Sequence, residues 1–460
     1  MDQGSRCVCI RPVWVWSTFR KVPKITEKPG RDHYASALKE VGGLDAPDWL
    51  KDLRRAGADR FDTTEFPNYK QEAWRFTNVT PIVQTPFTSR VAEPISKIDP
   101  EGVGEHLYDE PDWNQLVFVD GFYSADLSRL NAEAGSLRVG SLSEAIRSDD
   151  PCVRKHLDQG VQHSSAFITL NSAFIQDGAF FYLPANTVLE TPVHFLFITT
   201  ASGPVATYPR NLFVAGSCSQ ATILESYVGL SHGADYLTNA VTEIVLEDGA
   251  RLERHKLVEE GQGSYHLSTA NVRQGRDTFF KSYAVTLSGK IVRNELDVHF
   301  EGEGSEADLN GLYLNEGTRL TDNALHVTHD KPNCRSRMAY KGILNDESRA
   351  VFTGKVLVTK DSQRTDSDQL NSNLLLSDKA TIDTKPQLEI FADDVKCTHG
   401  ATVGSFPDEL VFYFQSRGMS AEMARGILTY GFAGEIVDTI EVGPLHEKLD
   451  KYIFAKYSPK

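Results

Sequence analysis

The sequence predicts a mostly β chain with helical flanks, on three observations. Short β-type runs recur from about Ser164 to Gly404, each closed by Gly, Asp or Asn. No long amphipathic helix interrupts them, and proline is sparse inside the runs. Helix signals return after Pro407.

Residues 1–31 read as an N-terminal extension, either a targeting segment or a disordered one. Arg6, Arg11, Arg20, Lys21 and Lys24 stand there against a single acid, Asp2, as in organellar transit segments, but without Ser enrichment or a cleavage signal. Residues 32–160 are mixed and partly helical. Trp49, Leu50 and Leu53 fall at helical spacing, and Gly57 and Pro67 break the pattern. The apolar stretch 116–119, followed by Asp120-Gly121, predicts a strand entering a tight turn.

Residues 161–404 carry the β runs, among them 194–200, 212–215, 221–228, 241–246, 279–287, 350–358 and 388–391. So many short strands fit either several sandwiches or one stacked solenoid. Two features favour the solenoid. Turn-then-strand units repeat loosely at Asp248-Gly249, Asp346-Glu347 and Asp378-Lys379. Asn271, Asn294, Asn310, Asn371 and Asn373 lie near strand ends, where stacked amides can pair from rung to rung. The period is too irregular to prove a repeat.

Residues 405–460 turn helical. Ser405 and Asp408 form a Ser-x-x-Asp start signal, Gly418 a stop, and Ser420 a second cap. Met423, Ile427, Tyr430 and Ile436 share one side of the second helix. Ala421, Ala424, Gly426, Gly431, Ala433 and Gly434 make that helix smooth, which suits a partner surface or packing on the β-body.

Bulk properties narrow the function. A net charge of −15 argues against a nucleic-acid partner, which calls for a basic surface. No apolar run approaches the roughly 20 residues that a membrane span needs. The six cysteines Cys7, Cys9, Cys152, Cys218, Cys334 and Cys397 include no Cys-x-x-Cys pair and fit reduced thiols rather than a disulfide framework. Neither a P-loop, nor Gly-x-Ser-x-Gly, nor His-Glu-x-x-His is present, so no catalytic residues are assigned.

The sharpest local feature is Asp393-Asp394-Val395-Lys396-Cys397-Thr398-His399-Gly400. In a strand, Val395, Cys397, His399, Ala401 and Val403 share one face. A thiolate and a neutral imidazole two residues apart are both good iron ligands. A buried Cys beside a His satisfied by a carbonyl fits the pattern as well. The adjacent acids are either ligands for a hard cation or a solvated turn. His326 and His329, at an odd offset, face opposite ways and read as structural; Cys334 sits near His329 only if a turn brings it there.

Residues 329–440 closely resemble the SufB/SufD family of the SUF iron–sulfur cluster assembly machinery, on its SufD side. The resemblance is carried by Tyr340-Lys341-Gly342-Ile343-Leu344, Ala350-Val351-Phe352-Thr353-Gly354-Lys355, and Gln363, Thr365-Asp366, Gln369 and Asn371. It continues through Asn373-Leu374-Leu375-Leu376-Ser377, Asp383-Thr384-Lys385-Pro386-Gln387-Leu388-Glu389-Ile390, Phe412-Tyr413 and Ser416-Arg417-Gly418. Near the N-terminus, Glu72-Ala73-Trp74-Arg75-Phe76-Thr77 is similar to a motif shared by SufB and SufD. SufB proteins carry a His-Glu-Ala element, whereas His399 here is followed by Gly400.

The resemblance implies a right-handed parallel β-helix over 161–404, with an N-terminal mixed or helical part and a C-terminal helical part. It implies a heterodimer with a SufB-like paralogue through the β-helices. It also implies docking of a SufC-like ATPase on the C-terminal helices, at Arg417, Gly418, Met423, Ile427, Tyr430, Phe432 and Ile436. ATP-driven closure of that ATPase would twist the heterodimer interface and open the site of cluster formation. His399 matches the family's functional histidine at that interface, a ligand for iron or a transient nascent cluster, and Cys397 matches the neighbouring cysteine. ATP would be bound by the ATPase and not by this chain, and a reduced flavin would enter only at the level of the complex. The compartment implied is the cytoplasm of a bacterium or the plastid stroma of a photosynthetic eukaryote. Two other readings stand beside this one: a free-standing β-helix hydrolase or lyase acting on polysaccharide, and a purely structural adaptor. The first calls for carboxylates gathered in an exposed groove, and no such cluster shows on one strand face.

Overall fold

A computed structural model describes residues 32–458 apart from 92–97, 99, 132–136, 163, 201–202 and 231–232. The extension 1–31, with Cys7 and Cys9, lies outside the described residues.

Two facing sheets run the length of the molecule. The first contains β4 (Arg138–Ser141), β5 (Ala179–Leu183), β8 (Arg210–Ala215), β10 (Tyr236–Leu246), β12 (Ser264–Gln274), β14 (Ile291–Phe300), β16 (Leu320–His329), β18 (Arg349–Val358) and β20 (Thr381–Ile390). The second contains β3 (Phe122–Arg129), β2 (Asn114–Val119), β6 (Val193–Thr199), β9 (Gln220–Gly229), β11 (Arg251–Glu259), β13 (Phe279–Ser288), β15 (Glu306–Asn315), β17 (Arg335–Leu344), β19 (Thr365–Leu375) and β21 (Val395–Gly404). Two short strands, β1 (Thr88–Ser89) and β7 (Val205–Thr207), extend the first sheet at its side.

From β8 onward the chain alternates between sheets, and each strand from β10 to β19 pairs in parallel with the strand two before and two after it. This is a parallel β-solenoid and not a set of sandwiches. The sheets draw strands from both sides of residue 160, since β2 to β5 belong to the same stack as the later rungs.

The turns explain why the repeat was hard to read. Asn186, Cys218, Gly249, Asp277, Gly304, Asn333 and Arg364 all have positive φ and recur every 27 to 32 residues. Their backbone N–H groups donate from rung to rung: Cys218 to Asp248, Gly249 to Arg276, Asp277 to Glu303, Asn333 to Gln363 and Arg364 to Asp394. Left-handed geometry favours Gly, Asn and Asp but admits other residues in a corner held on both sides. The conserved quantity is a conformation rather than a letter.

Side-chain alternation fills the lumen with one face of every strand. Phe213, Ile223, Leu252, Phe280, Leu309, Met338 and Phe352 belong to one continuous apolar core. The predicted amide pairing occurs at Asn294 and Asn323, whose side chains bond at 3.1 Å between β14 and β16. His326 and His329 do face opposite ways: His326 pairs with Asp297 on the outside at 2.9 Å, and His329 is buried in the lumen. The Cys334 sulfur turns to the carbonyls of Gly302 and Pro332.

Helices cover the outer faces. α1 (Asp32–Gly42), α2 (Asp48–Thr63), α3 (Thr80–Gln84), α4 (Pro100–Gly104), α5 (Leu142–Arg147), α6 (Pro151–His156) and α7 (Ala166–Ala173) come from the N-terminal part. Phe61, Trp74, Ile82 and Phe167 there pack on Leu237, Tyr265 and Ile291 of the first sheet. The 72–77 motif is a brace. The Arg293 guanidinium lies 3.9 Å from the centre of the Trp74 ring and pairs with Asp322, which also accepts from the Thr77 hydroxyl.

At the other end, α8 (Asp408–Gln415), α9 (Ala421–Val437) and α10 (Gly443–Tyr457) follow the last strand. Ile436, Leu445, Leu449 and Ile453 pack on Leu257, Tyr283, Leu312 and Ile343 of the second sheet. Ser420 caps α9, its hydroxyl accepting from the Met423 N–H at 3.0 Å. The Ser405 signal is not used. Pro407 stands at the N-cap of α8 with no side-chain cap bond, and the helix begins at Asp408.

Candidate functional site: the open last rung

β20 and β21 form the last rung. β20 pairs with β18 and β21 with β19, and among the described residues their far edges carry no strand. Pro386 sits in the middle of β20, where an inner strand would lose a ladder donor. An edge strand tolerates it.

The register decides which side chains face the lumen. Cys397 lies above Ser367, His399 above Gln369 and Ala401 above Asn371. Ser367, Gln369 and Asn371 are buried inside the solenoid, so Cys397, His399 and Ala401 point the same way one rung further out. With no rung above them they are left open: His399 is exposed and Val403 is 48% exposed. The rim adds Ile390 and Phe391, at 38% and 65% exposure.

Cys397 is half-buried, packed with Val395 against the lumen core. Burial pushes its thiol up, while the Ser367 backbone N–H pulls the other way. The predicted pair therefore shares one face at the solenoid mouth. Two residues apart along a strand, their Cα atoms lie about 6.6 Å from each other. Among the described residues no group of three or more His, Cys, Asp and Glu is arranged to hold a metal ion. Cys397 and His399 alone would form an incomplete site. Asp393 and Asp394 lie in the turn before β21, and the Asp394 carbonyl accepts from the Arg364 N–H.

The predicted docking residues divide. Met423 and Ile427 are exposed on α9, at 38% and 42%. Arg417 lays its guanidinium 3.6 Å from the centre of the Tyr413 ring, and Gly418 turns the chain with φ +89°. Tyr430 and Phe432 are half-buried: the Tyr430 hydroxyl donates to Asp450, and the Lys341 ammonium lies 4.2 Å from the centre of the Phe432 ring. Ile436 is a correction. It is buried at 4% exposure in the contact between α9 and the second sheet, so its side chain is not on offer to a partner.

None of the predicted docking residues lies within α8 itself. Leu410, Phe412 and Tyr413 are exposed at 45%, 69% and 51%, and Val411 alone is buried. The signal was legible: apolar residues at five successive positions, 410 to 414, surround the whole helix, and such a helix is ordinarily covered on all sides.

The chain matches two family models. Residues 32–195 match the SufBD protein N-terminal region, and residues 197–432 match the SufBD core domain of SUF system FeS cluster assembly. An iron–sulfur cluster assembly SufBD family protein of Synechocystis is 31% identical over 91% of this chain and 94% of its own length. The iron–sulfur cluster assembly protein SufD of Escherichia coli is 32% identical, over 82% and 86%. The chloroplastic protein ABCI7 of Arabidopsis thaliana is 28% identical, over 85% and 82%. With the solenoid fold, the helical flanks and the matched regions in agreement, this chain belongs to the SufBD family of iron–sulfur cluster assembly proteins, and its named relatives include SufD.

Proposed function

We propose that this chain is a non-catalytic scaffold subunit that pairs its open rung with a SufB-like sister subunit and carries a SufC-like ATPase on α8 and α9. His399 and Cys397 supply ligands to iron or a nascent cluster, which is the cargo of the assembly. One observation carries the reading: a thiol and an imidazole stand on the lumen face of a rung whose far edges are unpaired among the described residues. A metal held by them takes its remaining ligands from across that edge. Unpaired backbone at a sheet edge is itself a template for another strand.

The α8 face supports the second partner. Leu410, Phe412 and Tyr413 join Met423 and Ile427 across the Gly418 turn as an exposed apolar surface with Arg417 at its margin. Aromatic residues and Arg dominate interface cores. No nucleic-acid partner is proposed, and no helix of the described residues is long and apolar enough to cross a membrane. Relatives from bacteria and from a chloroplast leave both the bacterial cytoplasm and the plastid stroma in the reading.

Co-expression with a SufB-like and a SufC-like protein tests it. A stable complex is expected, with cluster absorbance after anaerobic reconstitution. His399→Ala should keep the complex and lose most of the cluster yield; a His399→Ala complex with full yield would remove His399 from the mechanism. Phe412→Asp should release the ATPase while keeping the sister subunit, and ATPase retention at the wild-type level would sink the docking assignment.

A further inference from the structure

One rung below the open mouth, apart from the proposed ligands, the lumen holds a closed set of amides and hydroxyls. Asn371 and Asn373 face inward from β19, in register with Ala401 and Val403 of the last strand. They are 0% and 4% exposed, and the Asn373 Nδ2 donates to the Asn371 Oδ1 at 2.7 Å. Below them, the Asn371 Nδ2 donates to the Tyr313 hydroxyl and to the Tyr340 carbonyl, each at 3.2 Å. The Tyr313 hydroxyl in turn donates to the Asn373 Oδ1. Tyr313 is a fixed anchor, because its ring lies against Gly342 of β17, where a Cβ would stand 2.2 Å from it.

From this anchor the set crosses the lumen to the other wall of the mouth. The Thr384 hydroxyl of β20 donates to the Asn371 Oδ1 at 2.9 Å. On the far side of Pro386, the Gln387 carbonyl accepts from the Gln369 Nε2 at 3.3 Å. Gln369 makes its crossing beside Gly354 of β18, where a Cβ would come within 2.7 Å of its Oε1. On the near wall the Asn373 Nδ2 also reaches the Thr402 carbonyl of β21, at 3.4 Å. Both walls are strands laddered on one side only, so the ladders alone do not fix the distance between them. Apolar contacts resist separation but have no direction, whereas hydrogen bonds prescribe a length and an angle. All four amide N and O atoms of Asn371 and Asn373 have partners, and a buried network with every member satisfied rigidifies its surroundings. The Gln369 tie is the weaker, since its Oε1 has none.

We propose that Asn371 is a positioning residue of the mouth: through Thr384 it holds β20 at a fixed distance from β21, and so sets the gape within which a metal meets His399 and Cys397. Groups that hold a ligand in place govern metal affinity without touching the metal. This inference rests on His399 and Cys397 as ligands, and the experiment tells the failure of one from the failure of the other.

Asn371 has four partners, so the sharper variant is Thr384→Val. It deletes one donor, keeps the side-chain shape and leaves the Asn371 Oδ1 its bond from Asn373. The full chain, in complex with its sister subunit and the ATPase, is titrated with cobalt(II) as a probe metal. A cobalt spectrum that is lost in His399→Ala is expected. Thr384→Val should weaken cobalt binding about tenfold and broaden the bands, because more than one ligand geometry becomes accessible. Thr384→Ser, which keeps the hydroxyl, should restore both. Wild-type affinity and band shape in Thr384→Val overturn the proposal. If no cobalt band depends on His399 or Cys397, the ligand reading fails instead, and the tie is decided on the metal-free chain by amide exchange. The β20 amides that donate to β18 should then exchange about tenfold faster in Thr384→Val and recover in Thr384→Ser, with those of β18 unchanged. Wild-type exchange along β20 in Thr384→Val overturns the proposal.

Discussion

The middle of the solenoid and its last rung are built from the same strand, yet they differ in what lies above them. In the middle, every strand is paired on both sides and the next rung seals the lumen, so even charged groups are enclosed. Glu225 accepts from the Arg254 Nε at 2.5 Å, and both are buried. Lys256 reaches the Ser268 hydroxyl and, at 2.6 Å, the Asn294 side chain, while burial holds its amine well below the ordinary range. In the last rung the inward-facing column ends in solvent at His399. An identical backbone thus makes an insulated polar core at one height and a reactive mouth at another. The difference is one missing neighbour.

The contrast predicts opposite mutational behaviour. Removing one partner of a buried ion pair leaves an uncompensated charge and costs about 3–5 kcal/mol. Arg254→Leu should therefore lower the unfolding free energy of the isolated chain by about that much, because Glu225 loses its cationic partner in a sealed lumen. His399→Ala sits at an open face and should change stability by less than about 0.5 kcal/mol. Comparable losses in urea titrations of the two variants would break the distinction between the regions.

Acid should find the middle before the mouth. His266 and His329 are buried and their imidazoles are pushed down to about 4 by burial. With folded values below the unfolded value near 6.5, the unfolded chain binds more protons between pH 6.5 and 4, and stability falls as pH falls through that window. A shift of that size is worth at most about 3 kcal/mol per histidine at pH 4 and below. His329→Gln removes one of these groups, so its stability should vary less steeply between pH 6.5 and 4 than the wild type. An unchanged slope would mean that His329 is protonated in the folded chain.

How much of this was legible depends on which physical rule governs each part. Alternation by two put Cys397 and His399 on one face correctly, because the pleat follows from residue number alone. The repeat was obscured because its corners are set by positive φ, which Cys218 and Arg364 satisfy as well as Gly249 and Asn333 do. Ile436 shared a helical side with Met423 and Ile427, but the body covers only the later turns of α9, and periodicity carries no record of where cover begins. Tyr313, Asn371 and Thr384 come from three strands, so only the fold brings them together.

The smallest effect expected concerns two serines that looked alike in sequence. Ser405 and Ser420 both precede helices with acids nearby, but only the Ser420 hydroxyl accepts from an exposed helix amide. Pro407 accounts for the difference. It takes the N-cap position of α8 itself, leaving Ser405 two residues outside the helix. Loss of a cap costs about 1 kcal/mol, so Ser420→Ala should lower stability by about that amount and Ser405→Ala by almost nothing. Since α9 bridges the open α8 face and the packed second sheet, amide exchange in Ser420→Ala should rise in its first turn and fade towards Ile436. Uniform exchange along α9 would instead mean that the helix opens as one unit, with no division between its exposed start and its buried end.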